Sequence, residues 1–88
     1  MTTLIVGKGE IGTALGKVLS DYNPLFVDQP KGIFATGQFD IMHICFGYGE
    51  GFEKQVMEYQ SEHKPKYTII HSTVPVGTSR KCEAIHSP

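Results

Sequence analysis

Apolar residues in this chain fall in short continuous runs separated by stretches in which they recur every three or four positions, and the two patterns alternate. Thr3–Val6 is one such run and reads as a buried strand. Ile11, Ala14, Leu15, Val18 and Leu19 then recur at i, i+3, i+4, i+7 and i+8, one face of a helix predicted over 10–21. Asn23 and Pro24 turn the chain into a second run, Leu25–Val27, and Asp28-Gln29-Pro30-Lys31-Gly32 marks a loop. Residues 33–35 are the remnant of a strand at most. The run 41–46, Ile-Met-His-Ile-Cys-Phe, is nearly continuous in apolar character, as a parallel strand covered on both faces requires. Glycines at 47, 49 and 51 break it. A second helix is predicted over 51–63 with Phe52, Val56 and Tyr59 facing the core, Pro65 ends it, and 67–71 is the next strand.

Strand and helix alternating in this way give an α/β chain with a parallel sheet. The link from the second to the third strong strand, 29–40, has 12 residues. That is the minimum for a parallel crossover, and it carries no helical period. The fold expected is a trimmed Rossmann-type parallel sheet of 4–5 strands with helices on both faces, one domain over 1–88.

Composition narrows the function classes. A chain of 88 residues buries roughly 60–65% of its unfolded surface, an adequate core but not a generous one. The net charge is −1 with charges spread along the chain, so there is no electrostatic footprint for nucleic acid or an anionic membrane. No basic flank precedes a long apolar run at the N-terminus, and no stretch is long enough to span a bilayer. A cytoplasmic protein is expected. Cys45 and Cys82 lack CxxC or zinc spacing and read as buried thiols, a disulfide being the alternative. His43, His63, His71 and His86 show no ligand spacing, so no metal site is expected. His71, beside Ser72 and Thr73, is the one imidazole placed to orient a ligand or exchange a proton, the plainer reading being a structural histidine.

The most specific chemistry lies between the first strand and the first helix. Gly7-Lys8-Gly9-Glu10-Ile11-Gly12 is a GxGxxG turn in the strand, turn, helix setting that gives the pattern meaning. The first glycine permits the tight turn, the second admits a pyrophosphate to the backbone, and the third lets helix and strand pack closely. The following helix aims its free N–H groups and positive dipole end at the anion. Asp28 ends the second strand, 21 residues after Gly7. A carboxylate there accepts the ribose hydroxyls of adenosine and repels a 2′-phosphate, so the cofactor expected is NAD. Ligands of open parallel sheets bind at the carboxyl ends of the strands. Phe46 and Gly47 occupy that position on the third strong strand, and Ser72 and Thr73 on the fourth. In His71-Ser72-Thr73-Val74-Pro75-Val76-Gly77-Thr78 the bend displays hydroxyls at that edge, and a Ser/Thr helix cap is the plainer reading of the same residues.

GKGEIG at 7–12, Asp28, DIMHICFG at 40–47 and STVPVGT at 72–78 together resemble the N-terminal NAD-binding domain of the UDP-glucose/GDP-mannose dehydrogenase family, a Rossmann domain of the 6-phosphogluconate dehydrogenase-like type. The resemblance covers nearly the whole chain, and STVPVGT is its most specific part. It implies two successive NAD-dependent oxidations of a sugar-nucleotide C6 alcohol. By matching position, Gly7, Gly9, Glu10, Ile11 and Gly12 would approach the dinucleotide, Asp28 the adenosine ribose, and Phe46, Gly47, Ser72 and Thr73 the crevice, Thr73 on its nicotinamide side. The strand at 40–46 would lie beside the first strand on the side away from the second, and Ala84-Ile85-His86 would begin one further strand. The chain departs from the pattern at Glu10, where the family has an aromatic or apolar residue. It departs again at Gly47-Tyr48-Gly49, which replaces a Pro-Thr-Pro loop, and at His71, which replaces an acidic residue.

The family's catalytic cysteine, lysine and aspartate belong to a later substrate domain that nothing here matches, so no catalytic residue is assigned. The expectation is the cofactor half of a sugar-nucleotide dehydrogenase-like oxidoreductase, truncated or lacking its substrate domain and inactive alone. The alternative is a free-standing, non-catalytic dinucleotide-binding or sensing module. The partners expected are a dinucleotide, a sugar nucleotide by way of a missing domain, and a second copy of the chain along the uncovered edge of the second strand.

Overall fold

The computed structural model describes residues 1–87. Five strands run parallel in one sheet: β1 (Thr3–Val6), β2 (Leu25–Val27), β3 (Ile41–Ile44), β4 (Tyr67–Ile70) and β5 (Ile85–His86), in the spatial order β2-β1-β3-β4-β5. Three helices connect them: α1 (Glu10–Val18), α2 (Phe52–His63) and the single-turn α3 (Thr78–Lys81). The chain leaves β1 in one direction to make β2, then returns past β1 and proceeds in the other direction through β3, β4 and β5. Right-handed crossovers place α1 on one face of such a sheet and α2 and α3 on the other.

The side chains agree with that placement. Leu4, Val6, Val27, Met42, Ile44 and Ile70 form one buried cluster with Phe52 and Val56 of α2 and with Cys82, just beyond α3. The opposite face carries Ile5, Phe26, His43 and Cys45, and it is against Phe26 and Cys45 that the glycines of α1 are pressed. The fold is therefore the expected α/β type with helices on both faces.

Several boundaries differ from the sequence reading. The helix predicted over 10–21 ends at Val18, and a 3-10 turn covers Ser20–Tyr22 before Asn23 enters the left-handed region at φ 50°. The stripe Ile11, Ala14, Leu15, Val18, Leu19 is not the packed face of α1, because the buried contact is made by Gly12 and Gly16, leaving Ile11 and Val18 exposed at 49% and 77%. Glycine carries no weight in a hydrophobic count, yet it is what lets a helix lie close on a strand. Residues 33–35 form no strand, and Ile33 makes a single antiparallel bridge to Asp28. The strands at 41–46 and 67–71 end at Ile44 and Ile70, although Cys45 N–H and His71 N–H still donate to Val6 and Ile44 carbonyls.

The connector from β2 to β3 holds only a 3-10 turn, Gln29–Lys31, as its missing helical period predicts. Its far end is fastened under α2. Phe39 is buried, its N–H donates to the His63 carbonyl at 3.0 Å, and the His63 ring Nδ1–H donates to the Gly37 carbonyl at 2.8 Å. Gln60 ties α2 to the rest by donating to Thr68 Oγ1 and to the Cys82 carbonyl.

Candidate functional site

The turn between β1 and α1 is built from three glycines with three different surroundings. Gly7 has φ +100°, and a Cβ there would lie 2.9 Å from Phe46 N, so both the conformation and the neighbouring strand end require glycine. A Cβ on Gly12 would lie 1.8 Å from the Gly7 carbonyl oxygen, which shows how tightly the start of α1 is seated on the turn. Gly9 differs from both: its φ is −90°, and a Cβ would meet nothing within 4 Å. No side chain caps α1, and the Thr13 N–H to Gly9 carbonyl bond, at 2.9 Å, opens the helix. The N–H groups of the first turn therefore face the open ground over Gly9.

The end of β2 is tied across this turn. Asp28, half-buried, accepts the Lys8 N–H through Oδ2 at 2.7 Å, and Lys31 Nζ donates to the Lys8 carbonyl at 2.5 Å. The Lys8 ammonium itself lies over the Phe26 ring, 4.8 Å from its centre. Beside Asp28 a cleft of about 400 Å³ opens between the end of β1, the start of the connector and one side of α2. Gly7, Asp28 and Phe46 line it with Gln55, Glu58, Tyr59 and Glu62. Burial, with the carboxylates of Glu62, Asp28 and Glu58 nearby, pushes the Tyr59 phenol up, so it remains a hydrogen-bond donor among acceptors. The cleft is thus lined by carboxylates, while at the glycine turn the Asp28 carboxylate and the Lys31 ammonium hold the two ends of the Lys8 backbone.

Of the residues singled out from sequence, Gly7, Gly12, Asp28 and Phe46 come together around the turn and its cleft, with Gly9, Glu10 and Ile11 exposed above them. Ser72 is buried, and its hydroxyl donates to the Phe46 carbonyl, joining the ends of β3 and β4. That bond uses the hydroxyl's proton in the fold. Gly47 and Thr73 are exposed at the same carboxyl edge but do not line the cleft. Gly77, at φ +93°, precedes α3, which has no side-chain cap, so neither Ser72 nor Thr73 serves as a helix cap.

Sequence reasoning missed the polar side of α2. Gln55, Glu58, Tyr59 and Glu62 recur at i, i+3, i+4 and i+7, a stripe legible in the sequence once the partner of that face is known. It also missed a histidine pair. His43 Nδ1 and His71 Nε2 are 2.8 Å apart with their rings stacked at 5.0 Å, joined across adjacent strands at the end of the sheet that bears the site. Residues 28 apart carry no local signal of such a contact. No group of three or more His, Cys, Asp or Glu side chains suited to a metal ion occurs among the described residues. Cys45 and Cys82 are free and buried, and burial pushes the Cys45 thiol up to about 11.

The histidine pair makes stability depend on pH. Burial, with His71 beside it, lowers His43 from 6.5 to about 4, and burial lowers His71 as well. A native state that refuses a proton the unfolded chain accepts is at full strength above pH about 6.5 and weakens as pH falls toward 4. Urea titrations at pH 7 and pH 5 should therefore show stability falling by about 2 kcal/mol for His43. The slope should flatten in His43→Leu. An identical slope in that variant would assign the dependence to groups other than His43, His71 first among them.

No family model, curated protein or solved structure matches the chain.

Proposed function

We propose that this chain is an NAD(H)-binding domain, the cofactor half of a sugar-nucleotide dehydrogenase-like oxidoreductase acting in the cytosol. The observation that carries the reading is the Asp28 carboxylate tied to the Lys8 N–H across a glycine turn whose middle glycine, Gly9, has no neighbour to account for it. The fit is chemical as well as steric. The uncapped start of α1 offers N–H donors to a diphosphate, Asp28 keeps one oxygen for ribose hydroxyls, and the cleft by Phe46 and Tyr59 can take a flat base. A bound nicotinamide would supply the hydride acceptor. The chain itself binds and orients, holding the adenosine end in the cleft and the diphosphate on the turn, so that the far end projects past Gly47 and Thr73 toward a substrate brought by another domain. No helix among the described residues is long and apolar enough to cross a membrane.

Neither cysteine of this chain is placed as a nucleophile: Cys45 and Cys82 are buried, and burial pushes both thiols up.

Cofactor choice is the direct test. A 2′-phosphate would face Asp28 with Glu58 and Glu62 behind it, so NADH should bind at least about tenfold more tightly than NADPH, ~1.4 kcal/mol. Calorimetric titration with both cofactors should show that gap narrowing in Asp28→Ala. Equal affinity in the unmodified chain would reduce Asp28 to a structural tie, and no binding of either cofactor would remove the function while leaving the fold.

A further inference from the structure

Two carboxylates flank the glycine turn, which is an unpromising place for a diphosphate. Glu10 is the first residue of α1, and Asp28 is hydrogen-bonded to Lys8 within the turn. Both would oppose an incoming anion, and Glu10 competes for the positive end of the helix. Lys8, although it sits in the turn, does not offset them at the mouth, because its ammonium lies on the Phe26 ring.

We infer that Lys31 is the residue that lets this turn accept a diphosphate, acting as a cationic clamp on the phosphate side of the site. The inference rests on the dinucleotide reading above and adds a residue that the glycine pattern does not contain. Lys31 is held from two directions. Its N–H donates to the Asp28 carbonyl at 3.0 Å, Pro30 stiffens the first turn of the 3-10 segment, and Gly32 closes it in the left-handed region at φ 71°. Its ammonium then reaches over to the Lys8 carbonyl at 2.5 Å. Lys8 is thereby gripped at both ends of its backbone, its N–H by Asp28 and its carbonyl by Lys31.

An ammonium has three N–H donors, and the bond to Lys8 uses one. The other two belong to a positive charge held at the Lys8 carbonyl, in the turn that leads into α1, whose start no side chain caps. Lys31 does not line the cleft with Asp28, Glu58 and Glu62, so its charge serves the turn and leaves the adenosine end acidic. The ligand chemistry that matches a cation at the turn and carboxylates lining the cleft beside it is a nucleoside diphosphate whose ribose carries free hydroxyls.

Calorimetric titration of the whole chain with adenosine, ADP and NADH tests this, on the unmodified protein, on Lys31→Met, and on Lys17→Met, which removes the same charge from the far end of α1. Lys31→Met should weaken ADP and NADH about tenfold and leave adenosine within about twofold, whereas Lys17→Met should change none of them. Raising the salt concentration should shrink the difference between the unmodified chain and Lys31→Met. Unchanged ADP affinity in Lys31→Met would overturn the assignment and spare the dinucleotide reading. Parallel losses of adenosine and ADP would make Lys31 a structural tie only, also overturning it. Failure of the unmodified chain to bind ADP or NADH would overturn both.

Discussion

Gly12→Ala is expected to destabilise the fold severely, by more than about 4 kcal/mol. The added carbon would sit 1.8 Å from the Gly7 carbonyl oxygen and 2.9 Å from its carbon, and both are backbone atoms of a turn that cannot yield. Gly7 is at φ +100° against the Phe46 and Cys45 backbone, and its N–H donates to the Val27 carbonyl at 2.7 Å, so moving it away breaks the junction of β1, β2 and β3. Moving α1 instead lifts Gly12 and Gly16 off the sheet and exposes Ile5 and Phe26. Either route costs more than about 4 kcal/mol, the range reserved for severe steric and backbone faults. A domain of this length is held by on the order of 4–13 kcal/mol, so the loss takes at least about a third of its stability and, at the lower end, all of it. Gly16→Ala makes the contrast. Its Cβ would meet only the tip of the Phe26 ring, at 2.5 Å, and a ring can swing. That variant should fold with a loss of about 1–2 kcal/mol. Circular dichroism and urea titration separate the two, and a Gly12→Ala as stable as Gly16→Ala would show that the approach of α1 to the turn is looser than drawn.

The sheet was legible because its strands are near-continuous apolar runs with breakers between them, and a parallel sheet is the arrangement that buries such runs on both faces. The order β2-β1-β3 followed from a resemblance carried by the turn and by STVPVGT, and the short connector announced its lack of helix through its missing period. What stayed hidden was set by contacts distant in sequence. The packed side of α1 is made of glycines, so a count of apolar spacing chose Ile11 and Val18 and missed Gly16. Lys31 reads in sequence as an ordinary loop residue; only the closing of the β2 end onto the turn brings its ammonium to Lys8. The polar stripe of α2 and the His43–His71 pair likewise depend on which elements the crossovers make neighbours. In the turn itself sequence and structure agree most closely, because backbone sterics there restrict the choice of residue before any tertiary contact does.

Gly9 is the position where fold and ligand make opposite demands, and Gly9→Val exploits the difference. Its φ of −90° lies outside the left-handed region, and no atom lies within 4 Å of the new Cβ. The variant should therefore fold with a loss of about 1 kcal/mol, because Gly9 is the N-cap of α1 and valine caps poorly. Binding should respond far more strongly. A diphosphate oxygen held by first-turn N–H groups must come within ~2.9 Å of nitrogen, whereas a valine methyl keeps other heavy atoms roughly 3.5–4 Å away. Branched carbons at the mouth of the turn fill the space that those oxygens need, and NADH and ADP affinity should fall at least about a hundredfold, ~2.7 kcal/mol. Adenosine, which the proposed binding mode seats in the cleft by Phe46 and Tyr59, should be largely spared. The smaller Gly9→Ala should give an intermediate loss, which also covers the case of a valine variant that aggregates. A folded Gly9→Val that binds NADH as the unmodified chain does would place the diphosphate elsewhere, and with it the reading of the turn would fail.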